Sequence, residues 1–285
     1  MEKWSHSKIN TFIRCPEMFR WQYIVGIRPK IKSKPLVLGG CVASFLSEFR
    51  AKGTFEAGAE AFMQNWVDED KGLPISKADD PMRSVERGLE ILKAYTEFYP
   101  DEPAQIIRPE ISFEEEVAPG IIFRGRIDGV IDDGTSIGII EDKTASRLGD
   151  SFFVEKGNSY QVKWYMFIAE KLGLFDLSKN KLPRGVLNAI YIHKETLRFR
   201  REPILKMKKD IEEAGKDLLA WIAHINMAVS QNSFPKADYS MCAQYGGCDY
   251  LPLRRASGKN LERLIDANYA KSTYSFSTDK STPKS

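Results

Sequence analysis

Three acids and a lysine are spaced so that they could do chemistry together: Glu110 in "RPEISFEEEV", Asp128 in "RGRIDGVI", and Glu141 with Lys143 in "GIIEDKT". The first alternates polar and apolar residues, and the other two follow it across turns with β-branched apolar residues, so each reads as a half-buried strand. Turn residues separate them, "APG" after Val117 and "DDGTS" after Ile131. With a three-residue loop at Ala118–Gly120, Glu110 lies opposite Asp128. With a four-residue loop at Asp133–Ser136, Asp128 lies opposite Glu141. A two-residue loop at Asp133-Gly134 slides that pairing by two and leaves Glu141 on the same face. Period two then sets Lys143 beside Glu141 and sends Asp142 to the other face. Like charges across paired strands repel, by up to about 1 kcal/mol where exposed. Three carboxylates in a row therefore call for a cation. Lys143 supplies one charge, and a hard divalent ion, Mg²⁺ or Mn²⁺, would supply two more through carboxylate, carbonyl and water oxygens. The plain alternative is a solvated acidic face with Lys143 in a surface ion pair.

The elements around this meander are mostly helical. "SHSKINTFIRCPEMFRWQYI" carries a Ser cap and apolar residues at helical spacing, with Pro16 opening a second helix. "LVLGGCVASFLSEFRA" reads as a Gly-marked turn running into an amphipathic helix with Val42, Phe45, Leu46 and Phe49 on one stripe. "MRSVERGLEILKAYTEFY" is a further helix. After the meander come a helix over "NSYQVKWYMFIAEKLG", a buried strand over "GVLNAIYIH" and a long helix over "EPILKMKKDIEEAGKDLLAWIAHINMAV". The expectation is an α/β fold, a mixed β-sheet flanked by helices with a helical N-terminal part. It forms one domain over residues 1–272: helical to about 100, a core over about 105–230, and a Cys-bearing segment at about 234–256. The Ser/Thr-rich tail, residues 273–285, reads as disordered.

Composition bounds the class. The chain has 285 residues, 42% hydrophobic and 28% charged, with a formal net charge of +3. No apolar run is long enough to span a membrane and no basic-then-apolar leader opens the chain, so a cytoplasmic location without membrane attachment is expected. A charge of +3 neither supports nor excludes nucleic acid, since a local basic groove suffices.

"RGRIDGVI", a turn and "GIIEDKT" resemble the two core motifs of the PD-(D/E)xK nuclease superfamily, in particular its RecB-like exonuclease branch of phage and CRISPR-associated type. The Ser-led opening helix with Cys-Pro is similar to the family's opening. "YQVKWYMF" carries a Gln-x-x-x-Tyr helix as Gln161 and Tyr165, and "FPKADYSMCAQYGGCDYLPL" resembles the family's closing cysteine segment. The likeness runs in order from about residue 5 to about 255. A lone E-x-K is weak, but the ordered set is specific. It implies a restriction-endonuclease-like core and a metal-dependent DNA exonuclease. Asp128, Glu141 and the backbone carbonyl of Asp142 would hold the metal, and Lys143 would position or deprotonate the attacking water. Gln161 and Tyr165 would orient Lys143 and contact the DNA backbone. A Tyr in the core with a Gln at its edge is the alternative for that pair.

Two departures stand out. Many RecB-like nucleases have a metal-binding His where this chain has Ala43, and its only histidines are His6, His193 and His224. Glu110 is then a candidate substitute ligand. The family often carries an iron–sulfur cluster on four cysteines. Cys15, Cys242 and Cys248 fit three of those places, while Arg254 or a neighbour stands at the fourth and Cys41 is a doubtful substitute. A cluster, a zinc ion and three buried thiols all remain open. Both departures keep alive a catalytically impaired DNA- or partner-binding module, and a structure-specific endonuclease on the same core is a third reading. DNA is the expected partner, with a recombination helicase or single-strand annealing protein beside it. "RPKIKSK" and the cationic face of "LRFRREPILKMKK" are candidate phosphate contacts, and Trp21, Trp164 and Tyr165 are candidate base-stacking residues.

Overall fold

Short-range sequence signals open the chain. A two-residue strand, β1 (Lys3–Trp4), leads into α1 (His6–Arg14), whose first turn is capped by Ser5 Oγ accepting from Lys8 N at 3.3 Å. Pro16 starts α2 (Pro16–Phe19), and Cys15 Sγ accepts from Met18 N at 3.4 Å as its cap. One π-helical turn (Arg20–Ile24) and β2 (Ile27–Pro29) follow, then α3 (Lys34–Lys52), α4 (Phe55–Lys71), α5 (Val85–Phe98) and α6 (Glu102–Gln105). The meander is β3 (Ile106–Ala118), β4 (Ile121–Asp132) and β5 (Ser136–Ala145). The chain continues through α7 (Asp150–Gly157), α8 (Tyr160–Lys171), β6 (Leu182–Tyr191), β7 (Phe199–Leu205), α9 (Lys208–Ser230), α10 (Tyr239–Cys242), α11 (Leu251–Arg254), α12 (Gly258–Asn268) and β8 (Tyr269–Lys271). This computed structural model describes residues 2–78, 80–132, 136–174, 182–242 and 247–272; the expected disordered tail lies outside them.

The residues form two compact units. One holds residues 31–113 and 125–217. Its sheet runs β4-β5-β6-β7, with β3 paired to β4. β4 and β5 are antiparallel, with Asp132 opposite Ile137 and Gly129 opposite Ile140, the register of the four-residue loop. β5 and β6 are parallel and β6 and β7 antiparallel, so the sheet is mixed. Helix α3 lays Val37, Leu38, Cys41, Val42, Phe45, Leu46 and Phe49 into a core with Phe62 of α4, Ile91, Leu92 and Tyr95 of α5, and Ile190 of β6. Burying each large apolar side chain contributes about 1.5–3 kcal/mol, which outweighs the roughly 1 kcal/mol that a glycine costs inside a helix. That explains one difference from expectation: Gly39 and Gly40 lie inside α3, not in a turn before it.

A second difference concerns residues 202–205. They belong to edge strand β7, which the sequence reading had merged with the long helix. Pro203 is tolerated there because an edge strand leaves some amides unpaired. The helix begins instead at Lys208, where Asp210 Oδ2 accepts from Met207 N at 2.9 Å. Strand β7 and helix α7 had no separate place in that reading.

The other unit holds the described residues of 2–30, 114–124 and 218–272. Here β1 pairs in parallel with β4 at Ile122 and Phe123, and β2 pairs antiparallel with β8. Trp21, Ile27, Tyr250, Leu253 and Tyr269 form its small core.

Candidate active site

Period two along β5 sets Glu141 and Lys143 on one face. Glu141 Oε1 accepts from Lys143 Nζ, whose ammonium also donates to Gln161 Oε1 on α8 at 3.0 Å. On the neighbouring strand, Asp128 Oδ2 accepts from the Asp142 amide at 2.8 Å, which locks the two strands together at this level. Tyr165 is buried one turn beyond Gln161, edge-on to Phe113 at 5.6 Å. Gly125 makes room for both rings: a Cβ there would sit 2.8 Å from Phe113 Cζ and 2.9 Å from the Tyr165 hydroxyl. Asp128, Glu141, Lys143, Gln161 and Tyr165 thus come together in one unit.

Burial governs the electrostatics. It raises the Asp128 carboxyl well above its ordinary range, and the charges of Glu141 and Asp142 raise it further. Glu141, 1% exposed, is raised mainly by burial, against the opposing pull of Lys143. Burial works against the Lys143 ammonium too, but Glu141, Asp128 and Asp142 outweigh it and raise its pKa. Tyr165 is pushed up by burial and then by the two carboxylates, so its phenol stays protonated.

Two carboxylates face one lysine, and the count leaves something over. Glu141 Oε2 is buried and has no hydrogen-bond donor among the described residues. An unmatched buried anionic oxygen is costly, and a hard divalent cation beside a second carboxylate would satisfy it. The donor set therefore fits Mg²⁺ or Mn²⁺. Among the described residues, no three His, Cys, Asp or Glu side chains gather into a metal site. Glu110 is turned to Arg126, its carboxylate 3.2 Å from the guanidinium. Ala43, half-buried, shares a row of α3 with Gly39, which faces Thr144, and Arg50, which reaches Asp142.

The side of β5 opposite Glu141 holds residues that sequence reasoning missed. Asp142 accepts from Arg50 Nη1 at 2.5 Å and Nη2 at 2.8 Å, and from Asn188 Nδ2 at 2.7 Å. Arg50 Nε also donates to Glu102 Oε1 at 2.6 Å. Glu102 Oε2 accepts from the Tyr95 hydroxyl at 2.5 Å and from Arg201. The readable signal was Asn188, a polar residue in the middle of the apolar run "GVLNAIYIH", which has to find a partner once buried.

The remaining sequence candidates are mostly otherwise engaged. Lys30 and Lys34 donate to the carbonyls of Asp266 and Ala78, and Lys32 to Glu69. Arg200 pairs with Asp150 and Glu202. Trp21, Trp164 and Tyr165 are buried, which withdraws them as base-stacking platforms. At the cysteine segment, Cys15, Cys242 and Cys248 line a cavity of about 10 Å³ with Glu17 and Arg254. Arg254 lies beside the three thiols: its Nη1 is 3.8 Å from Cys242 Sγ and donates to Ala237 O at 2.8 Å, and its Nε is 3.9 Å from Glu17 Oε2. Three thiols and a guanidinium do not supply the four thiolates of a four-cysteine cluster, so the described residues do not fit one. Cys41 pairs elsewhere, with Asn65 Oδ1 at 3.4 Å, and burial pushes its thiol up to about 12.

The family model described as "PD-(D/E)XK nuclease superfamily" matches residues 3–253. Among solved structures, a Eubacterium rectale protein bearing a provisional exonuclease name is similar in fold. Its TM-score is 0.53 at 14% identity, over 92% of this chain and 91% of its own. The alkaline exonuclease of Laribacter hongkongensis matches with a TM-score of 0.29 at 13% identity, over 67% of this chain and 94% of its own. No curated protein matches.

Proposed function

This chain belongs to the PD-(D/E)XK nuclease superfamily, and from that premise we propose that it is a metal-dependent deoxyribonuclease acting as an exonuclease. The observation that carries the proposal is the orphaned Glu141 Oε2 beside Asp128, with Lys143 bonded to both Glu141 and Gln161. Asp128 and Glu141, with the backbone carbonyl of Asp142, are the ligands. When bound there, a divalent ion would supply positive charge at the scissile phosphate and lower the pKa of a water molecule. Lys143, held cationic by its carboxylate neighbours, offsets phosphate charge and orders the attacking water, while Gln161 and Tyr165 keep it in place. Glu110, paired with Arg126, serves as an outer carboxylate and not as a primary ligand. We read the cysteine segment as an iron-free clamp in which the Arg254 guanidinium takes the place of a cluster. A pathway of DNA recombination or phage DNA processing, with a helicase or annealing protein as partner, follows from the RecB-like resemblance.

A specific observation also favours the impaired reading: Ala43 offers no ligand on the row of α3 that reaches the site. One assay separates the possibilities. End-labelled linear DNA, single- and double-stranded, and a closed circle are incubated with Mg²⁺, Mn²⁺ or EDTA. Metal-dependent loss of linear DNA with the circle spared is expected. Lys143→Ala should slow it by about 10²–10⁴-fold, the usual worth of a positioned proton-transfer group. Cutting of the circle would make the protein an endonuclease. No cleavage even in Mn²⁺ would reject the enzyme reading, and Ala43→His would then test whether the missing ligand is the reason.

A further inference from the structure

Arg50 lies near the end of α3 with its side chain 1% exposed, and four hydrogen bonds meet it there. Removing a guanidinium from water is unfavourable unless its donors are matched with good geometry. Here they are. Nη1 and Nη2 take the two oxygens of Asp142 as a fork, at 2.5 and 2.8 Å. Nη1 also reaches the backbone carbonyl of Asp128 at 3.3 Å, and Nε takes Glu102 Oε1 at 2.6 Å. Two cations, Arg50 and Arg201, meet two anions, Asp142 and Glu102, with Tyr95 and Asn188 bonded among them.

The targets of Arg50 matter more than their number. Asp142 is the residue between Glu141 and Lys143, and its own amide donates to Asp128 Oδ2. The Asp128 carbonyl belongs to the residue that carries the other active carboxylate. Arg50 therefore grips both strands of the pair at the level of the site, from the face opposite the chemistry. We propose that Arg50 is a positioning residue for this centre: acting through Asp142 and the Asp128 backbone, it sets the spacing of the Asp128 and Glu141 carboxylates and so the affinity for the divalent ion. Without that grip, repulsion between two buried carboxylates would spread β4 from β5. A lysine cannot replace it, because a single ammonium has no planar fork to hold both Asp142 oxygens and the carbonyl at once. The proposal rests on the metal-dependent reading above.

The test uses the full-length chain as parent, Arg50→Lys and Asp142→Asn, with circular dichroism and melting to establish that each is folded. Mn²⁺ binding is measured directly without DNA, hydrogen exchange is followed over residues 137–146, and cleavage is measured where the parent cleaves. The expected result is folded variants whose Mn²⁺ affinity falls about 10–100-fold, the usual effect of losing an outer partner of a metal site. Exchange in residues 137–146 should rise by a similar factor, and kcat should fall with KM for DNA unchanged. Folded variants that melt lower but keep the parent's Mn²⁺ affinity would overturn the proposal and leave Arg50 a purely structural residue. Should Arg50→Lys fail to fold, Asp142→Asn decides by the same criterion. A parent that binds Mn²⁺ but cleaves nothing sinks the nuclease reading while the affinity comparison still judges Arg50. A parent that binds no Mn²⁺ overturns both.

Discussion

Two carboxylates in a buried site place a conflict at the level of single residues. Asp128 and Glu141 are both raised above their ordinary pKa, near 4, by burial first and by neighbouring acids next. Between that ordinary value and the raised ones, the folded state binds more protons than the unfolded. These two groups therefore remove stability as pH rises through that window. A divalent ion competes with the same protons, so its stabilising effect must grow with pH. The expected outcome is a larger rise in Tm on adding Mg²⁺ at about pH 8 than at about pH 5, abolished by Glu141→Gln; equal shifts at both pH values would reject the assignment. Gly125 is the other residue on which the site depends. Gly125→Ala drives a methyl against Phe113 and the Tyr165 hydroxyl. Overpacking of this kind costs about 1–3 kcal/mol, which a denaturant midpoint would register, and the displaced Tyr165 should slow cleavage as well.

At the scale of elements, the strand pair β4–β5 and helix α8 bring the candidate residues together, while α3, α5 and α6 hold Asp142 from the other face. The strand pair was legible because alternation depends only on the pleat: once "GIIEDKT" is a strand, Glu141 and Lys143 must share a face and Asp142 must leave it. The Gln161–Tyr165 pair was legible for the corresponding helical reason. Helix α3 was not read to its start, because local propensity argues against Gly39-Gly40 in a helix and only the packed core overrides it. Strand β7 is not expected from the sequence, because "EPILKMKK" suits a helix start as well as an edge strand. The pairing of β7 with β6, Glu202 opposite Leu187 and Ile204 opposite Gly185, decides between them.

For the whole molecule, the described chain has no helix long and apolar enough to cross a membrane. Its small unit draws on both ends of the sequence: β2 near the start pairs with β8, and the Tyr250 hydroxyl donates to Ile27 O at 2.9 Å. The clamp of Glu17, Arg254 and the three cysteines belongs to that same unit. Protein purified without oxygen should therefore be colourless and free of iron, by visible absorption and elemental analysis. A bound cluster would show that the guanidinium can be displaced from the fourth place.

The sequence by itself determined the strand pair and the faces on which its side chains lie, because strand and helix periods are local and translate order along the chain directly into faces. It also marked two odd positions, Ala43 and Arg254, as residues needing an explanation. Only the tertiary structure decided the answers. Arg50 and Asp142, or Glu102 and Arg201, lie far apart in sequence, and nothing local tells a buried arginine from a solvated one. Glu110 turned to Arg126 for the same reason: an acid beside several cations takes the partner that the packed fold brings within reach.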